Sequence, residues 1–225
     1  GTHADAIRKN TVALEHISPH LVGNDRRILL SDQAGRSSIL HKVEEVFPHI
    51  TKNSPEIAQL VKDIKQYENE GYQFEAAEAS FELLIRKAFN SLEKAFDLEG
   101  FRIIVEKRGE QPVLSEATIK VNVNGIEEIT AAEGDGPVNA LDTAIRKALL
   151  RFYPELKEIS LSDYKVRVLE ENRGTAAKVR VLIQSTDGHS SWGTVGVSEN
   201  IIEASWQALV DSIVYGLFCA PLKRK

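Results

Sequence analysis

One stretch of this sequence is written twice. Glu133–Tyr153, EGDGPVNALDTAIRKALLRFY, is echoed by Val197–Leu217, VSENIIEASWQALVDSIVYGL, with Ala140 recurring as Ala204, Ala144 as Ala208, Ile145 as Leu209 and Leu149 as Ile213, always at the same separation. Each copy has the period of a helix with one apolar face. In the first that face is Leu141, Ala144, Ile145, Ala148, Leu149 and Phe152; in the second it is Ile202, Trp206, Leu209, Val210 and Ile213. Each copy also has a start signal. Gly134-Asp135-Gly136-Pro137 puts proline in the first turn, where its missing N–H costs nothing. The second copy is expected to start at Ser198 as N-cap, with Glu199 beside the positive helix end.

The echo continues upstream. Phe101–Val105, Thr118–Val123 and Ile126–Thr130 precede the first helix, and Tyr164–Leu169, Lys178–Ile183 and Ser191–Val197 precede the second. Their alternation and β-branched content predict strands. Asn124-Gly125 and Asp187-Gly188 fall between the second and third strand of each set, where a tight hairpin turn belongs. The pattern is βββα repeated, and a repeat that needs strand order, turns and helices to agree points to a duplicated unit.

The rest of the chain is helical in character. Arg36–Val46 carries Ile39, Val43 and Val46 at helical spacing, and Pro48 stops it. Ser54-Pro55-Glu56 reads as N-cap, proline and acid opening a second helix, whose buried stripe is Ile57, Leu60, Val61 and Ile64 and whose end is Gly71. Phe74–Phe89 is expected to be a third helix, and Asp97–Gly100 a hinge into the repeat. Before position 36 there is too little apolar surface to order a domain without a partner, although a short helix over Ala4–Lys9 and a short strand over Arg27–Ser31 are expected. The expected fold is therefore α+β. Residues 1–35 form a connector subdomain, 36–99 a helical linker subdomain, and 100–225 a pseudo-two-fold pair of βββα units.

Composition excludes several functions. A net charge of −5 argues against a nucleic-acid surface, even though βββα units also occur in double-stranded RNA binders. No apolar run reaches the ~18 residues of a membrane span, and no signal peptide is readable. With the single Cys219, no internal disulfide can form, so a reducing, cytoplasmic setting is expected. Cys219 itself reads as a small buried hydrophobe at a helix end. His16 and His20 are four apart, but Pro19 between them keeps them off one helix face. With no cysteine cluster and no HExxH, neither a metal nor another cofactor is expected in this chain. The chain contains no methionine and starts Gly1-Thr2-His3, which reads as part of something longer.

One place remains for a small molecule. The first repeat helix runs out at Leu149, Phe152 and Leu156, and the second unit opens with Ser162 and Val166. At this hand-over the apolar groups can close over an aliphatic side chain while backbone N–H and C=O groups hold a charged end. They can equally be ordinary core between the repeats.

GTHADAIRKN with EHISPHLVGNDRRILLSDQAGRSSIL, then GYQFEAAEASFELL, then GDGPVNALDTAIRKAL with TVGVSENIIEASWQALVDSIVYGL, together resemble the C-terminal part of the 2-isopropylmalate synthase and citramalate synthase family. GRSSIL, EAAEASFELL and ENIIEASWQAL are closest to the citramalate synthase branch. The resemblance implies linker subdomains plus a regulatory domain, from an acyltransferase that condenses acetyl-CoA with a 2-oxo acid on a TIM barrel. That barrel and its divalent metal are expected outside this chain, so the chain alone is expected to be inactive. The resemblance also implies a homodimer and feedback inhibition by a branched-chain amino acid, isoleucine first and leucine second. His3 matches the family's histidine that reaches into the partner's barrel. Leu14 stands where the family often has a tyrosine. The inhibitor pocket maps onto Leu149, Phe152, Leu156, Ser162, Val166, Ser191 and Gly193, with Phe152 narrowing one end. The alternatives are a leucine-sensing 2-isopropylmalate synthase regulatory part and a dimerisation module that binds no ligand.

Overall fold

The computed structural model describes residues 36–50, 54–169, 174 and 176–220. His3, Leu14 and the elements expected before residue 36 lie outside the described residues. So do His16 and His20.

The helical region holds α1 (Arg36–Val46), α2 (Pro55–Glu70) and α3 (Glu78–Ala88). Pro55 sits at the start of α2, and Gly71 closes it in the left-handed conformation (φ 109°), its N–H reaching the Glu68 carbonyl. Ser54 occupies the N-cap position with extended backbone, but its hydroxyl is buried and caps nothing. Phe74 precedes α3 rather than opening it: the segment before Ala77 is turn, and it delivers Phe74 sideways against Phe81.

Two three-stranded antiparallel sheets follow, each in sequential order and each crossed by a helix. The first unit is β1 (Asp97–Glu106), β2 (Leu114–Val123), β3 (Ile126–Gly134) and α4 (Pro137–Leu149); the second is β4 (Ser160–Val168), β5 (Val179–Thr186), β6 (Ser191–Ser198) and α5 (Ile201–Phe218). The fold is α+β, as the repeat predicts. The expected hinge at Asp97–Gly100 is already strand, because Asp97 and Leu98 pair with Asn122 and Val121 across a bulge before Gly100. The second unit has a bulge at the corresponding place, between Leu161 and Asp163. The Asn124-Gly125 turn is a two-residue hairpin with both residues at positive φ (52° and 84°), the requirement that selects Asn-Gly. The second hairpin is wider. The Asp187 carboxylate gathers the His189 and Ser190 N–H groups, so Asp187 organises a four-residue loop.

Two details correct the expectation for α5. Asn200, not Ser198, is its N-cap, and its side-chain oxygen accepts the Ile202 N–H at 2.9 Å. Ser198 instead accepts the Asn200 N–H and positions the cap.

The duplication extends to single hydrogen bonds. Thr130 on β3 donates its hydroxyl to the Ala144 carbonyl at 2.8 Å, and Thr194 on β6 does the same to Ala208 at 2.8 Å. Both pin a helix to its own sheet. Ala117, Ile119 and Val121 of β2, the buried face of α4, and Trp206 and Ile213 of α5 share one core. A second core holds the helical region: Ile39, Val43, Ile57, Leu60, Ile64, Phe74, Phe81 and Ile85 pack with Val195 and Val197 of β6. Each fully buried side chain of this size contributes roughly 1.5–3 kcal/mol relative to exposure. The helical region therefore rests on the outer face of the second sheet. No helix among the described residues is long and apolar enough to cross a membrane.

Candidate functional site

The hand-over between the units is built by a proline. After α4 the Phe152 and Tyr153 N–H groups still reach the Leu149 carbonyl, but Pro154 has no N–H and starts a 3₁₀ turn, Pro154–Glu158. That turn drives Leu156 inward to 2% exposure and leads into β4 at Ser160. The Tyr153 hydroxyl fixes the corner by donating to the Ala95 carbonyl at 2.8 Å.

Of the seven residues expected around a ligand, the fold gathers three. Leu149 and Leu156 are buried in the shared core beside Ile159, Trp192 and Ile213, and Phe152 packs half-buried against it. The Arg151 guanidinium lies 5.7 Å from the centre of the Phe152 ring. Ser162 sits in the β4 bulge, exposed, with its hydroxyl on the Gln184 carbonyl at 3.1 Å. Val166 lies further along β4, opposite Val181 and 41% exposed. Ser191 is the exposed first residue of β6. Gly193 is buried against another element altogether: a Cβ there would stand 2.1 Å from the Ala76 carbonyl oxygen. Within one chain, Gly193 serves the approach of the helical region to β6.

Two cavities open among the described residues, and none of the seven lines either of them. One, of about 500 Å³, opens at the hand-over between α4 and β4. Its wall is Val138, Asn139, Asp142 and Arg146 on one side and Ile159, Ser160, Leu161 and Tyr164 on the other. Asp142 and Arg146 are one helical turn apart and paired at 2.8 Å. The Tyr164 hydroxyl meets Ser205 at 2.8 Å. Sequence reading passed over this pair, although its i,i+4 spacing on a predicted helix was a visible signal.

The other cavity, of about 390 Å³, lies between the helical region and α5. Ser80 donates to Asp211 at 2.7 Å and accepts the Val195 N–H at 3.0 Å, and Lys87 stands 3.7 Å from the same carboxylate. Tyr72 donates to Gln207 at 2.8 Å, and burial pushes its phenol up to about 12. Burial also holds the Asp211 carboxyl above the usual carboxylate range, against the opposing pull of Lys87 and Ser80. A carboxyl raised in the folded state stabilises the fold below its unfolded pKa and loses that contribution as pH rises through the folded one. Asp211→Asn is therefore expected to gain stability relative to the parent chain as pH climbs from about 4 towards neutrality. Calorimetric Tm values at the two ends of that range check this; a variant that tracks the parent at both ends refutes it.

Cys219 ends α5 half-buried, and burial raises its thiol to about 11, which leaves it protonated and unreactive at neutral pH. Among the described residues no three His, Cys, Asp or Glu side chains are grouped to hold a metal ion.

Helices packed on a tandem of βββα units define a duplicated α+β domain. The chain belongs to the family of the LeuA allosteric (dimerisation) domain, which matches residues 75–217; residues 1–72 match the homocitrate synthase post-HMGL domain-like family. Among curated proteins it is 56% identical over 218 residues to an (R)-citramalate synthase of Aquifex aeolicus, covering 96% of this chain and 41% of that protein. The same identity and coverage relate it to an (R)-citramalate synthase of Geobacter sulfurreducens. The Synechocystis enzyme of that name is 48% identical over 221 residues, covering 96% of this chain and 40% of its own length. The chain thus spans about two fifths of the length of these relatives, and its likeness is to their regulatory and dimerisation part.

Proposed function

We infer that this chain is the effector-binding and dimerising part of an acyltransferase that condenses acetyl-CoA with pyruvate to give citramalate, and that it binds isoleucine as a feedback inhibitor. The observation that carries this reading is the cavity at the hand-over, placed where two copies of one unit meet. A ligand there touches the end of the first unit and the start of the second at once. Leu149, Phe152, Leu156, Ser162, Val166, Ser191 and Gly193 remain the proposed surroundings of its aliphatic side chain in the assembled protein. The likeness to (R)-citramalate synthases over 96% of the chain supports isoleucine over leucine, because citramalate is a precursor on the isoleucine side.

A homodimer is supported by the edges of the two sheets. Leu98 and Val105 on β1 and Val166 on β4 lie opposite buried residues of the neighbouring strand, and Val168 lies opposite the half-buried Val179 on the same face, so they face the helix side, yet they are 39–54% exposed. The helices do not reach them. A second copy of the chain covers such a row and shields the open strand edges. Catalysis is assigned to the part of the complete enzyme outside this chain, in a reducing, cytoplasmic setting.

Titration calorimetry of the chain against isoleucine, leucine and valine tests the effector. Isoleucine is expected to bind most tightly, with leucine weaker by ~1–3 kcal/mol, the effect of rearranging one methyl group in an apolar pocket. Tighter leucine binding assigns the chain to leucine sensing instead. No binding by a chain that sediments as a dimer leaves the ligand-free dimerisation module. The same preparation is expected to release no CoA from acetyl-CoA and pyruvate, and measurable release overturns that part of the reading.

A further inference from the structure

The cavity between the helical region and α5 is acidic at both ends and apolar between them. Along α5, Glu203, Gln207 and Asp211 follow one another at one-turn spacing, and all three line this space of about 390 Å³. At the ~1.5 Å rise per residue of a helix, the Cα atoms of Glu203 and Asp211 are about 12 Å apart. The wall between them is Trp206 and Val210 of α5, with Phe74, Leu84 and Val195 from the elements packed against it.

The polar groups along this wall are unequally engaged. Gln207 is fully used: its oxygen accepts the Tyr72 hydroxyl and the Val197 N–H, and its nitrogen donates to Glu203 at 3.2 Å. Asp211 Oδ2 accepts from Ser80, but Lys87 stands 3.7 Å from Oδ1, longer than a hydrogen bond, and the Lys87 side chain is 56% exposed. The Asp211 side chain keeps 21% of its surface and lines the cavity, so a ligand can reach it. The field here is negative. After burial, the groups that raise the Tyr67 phenol are all acids: Glu70, Asp63 and Asp211.

These features select among ligands. A metal ion needs its ligands around one point, and the two acids stand two helical turns apart. A carboxylate is repelled at both ends. An amino acid meets one cation, Lys87, against two acids. A short aliphatic diamine meets a carboxylate at each end, through charge-assisted hydrogen bonds of about 2.8 Å, and lays its methylenes along Trp206 and Val210.

We propose that this cavity binds a linear aliphatic diamine, one ammonium on Asp211 and the other on Glu203, with Lys87 turned out to solvent. The site is independent of the effector reading given above, which concerns the other cavity. Its walls come from the helical region and from the second unit, so a bound diamine ties the two together.

Calorimetry of the chain with putrescine tests this, with butylamine as the one-ended control. Putrescine is expected to bind at least about tenfold more tightly than butylamine, the effect of one further charge-assisted hydrogen bond. Glu203→Gln and Asp211→Asn are each expected to remove that advantage. Both keep an acceptor, for Gln207 and Ser80 respectively, and circular dichroism establishes that they are folded. Lys87→Ala removes the competing ammonium and is expected to tighten putrescine binding. The proposal is overturned if putrescine does not bind, or binds no better than butylamine. Equal putrescine affinity in the parent and in both folded acid variants also overturns it, and shows only a general attraction to a chain of net charge −5. Displacement of putrescine by an equal concentration of isoleucine assigns the cavity to an amino acid instead, and the diamine site falls.

Discussion

Gly193→Ala is expected to cost about 3 kcal/mol or more of folding stability, read as a fall in the urea midpoint. The added Cβ would stand 2.1 Å from the Ala76 carbonyl oxygen and 3.1 Å from its carbon. Both are backbone atoms, so no side chain can swing aside. Either β6 bends or the helical region lifts off the sheet, and overpacking of this kind is among the larger single-residue effects. Gly100→Ala is the control. A Cβ there meets nothing within 4 Å, so the change is expected to stay within about 0.5 kcal/mol of the parent. Equal midpoints for the two variants would show that β6 and the 74–77 segment are not in contact in solution.

Leu149→Ala is expected to cost about 2–5 kcal/mol, the usual range for emptying a leucine site in a rigid core. Leu149 is fully buried and packs among Leu156, Ile159, Trp192 and Ile213, which come from three different elements. They cannot collapse together around the void. The same unfolding series checks it, and a loss under about 1 kcal/mol would mean the site relaxes or is already open to a ligand. The size of this effect bears on binding experiments. A weaker response to isoleucine in Leu149→Ala would mix lost contact with lost fold, whereas Phe152, half-buried at the surface of the same cluster, reports on contact more cleanly.

The duplicated unit was legible because every level agreed on it: helical period in Glu133–Tyr153, alternation in Thr118–Val123, and Asn-Gly at the turn. The boundaries were less so. Strand β1 starts at Asp97 because β2 offers partners that far along, which no local pattern in Asp97–Gly100 announces. Phe74 falls outside α3 because a tertiary contact with Phe81 outweighs its place in a helical period. Ser198 and Asn200 are both good caps, and only the geometry of the β6 exit selects between them. At the hand-over, periodicity found the apolar residues but not Asp142 and Arg146. A charged pair on a helix usually faces water, and here the chain folds β4 back over it.

The two units are alike inside and unlike outside. The position that corresponds to Gly193 in the first unit is Ile129, 60% exposed, and those corresponding to Val195 and Val197 are Ala131 and Glu133, beside water. Among the described residues the first sheet's outer face is uncovered, while the second carries the helical region through Arg180 to the Gly71 carbonyl and Gln73, Tyr72 to Gln207, and Ser80 to Asp211. A wedge driven between two equal halves has no preferred direction of output. Loading one half removes that equality: the tethers of the helical region fall on β5, β6 and α5 of the second unit, so a shift of that unit would reach α3 directly.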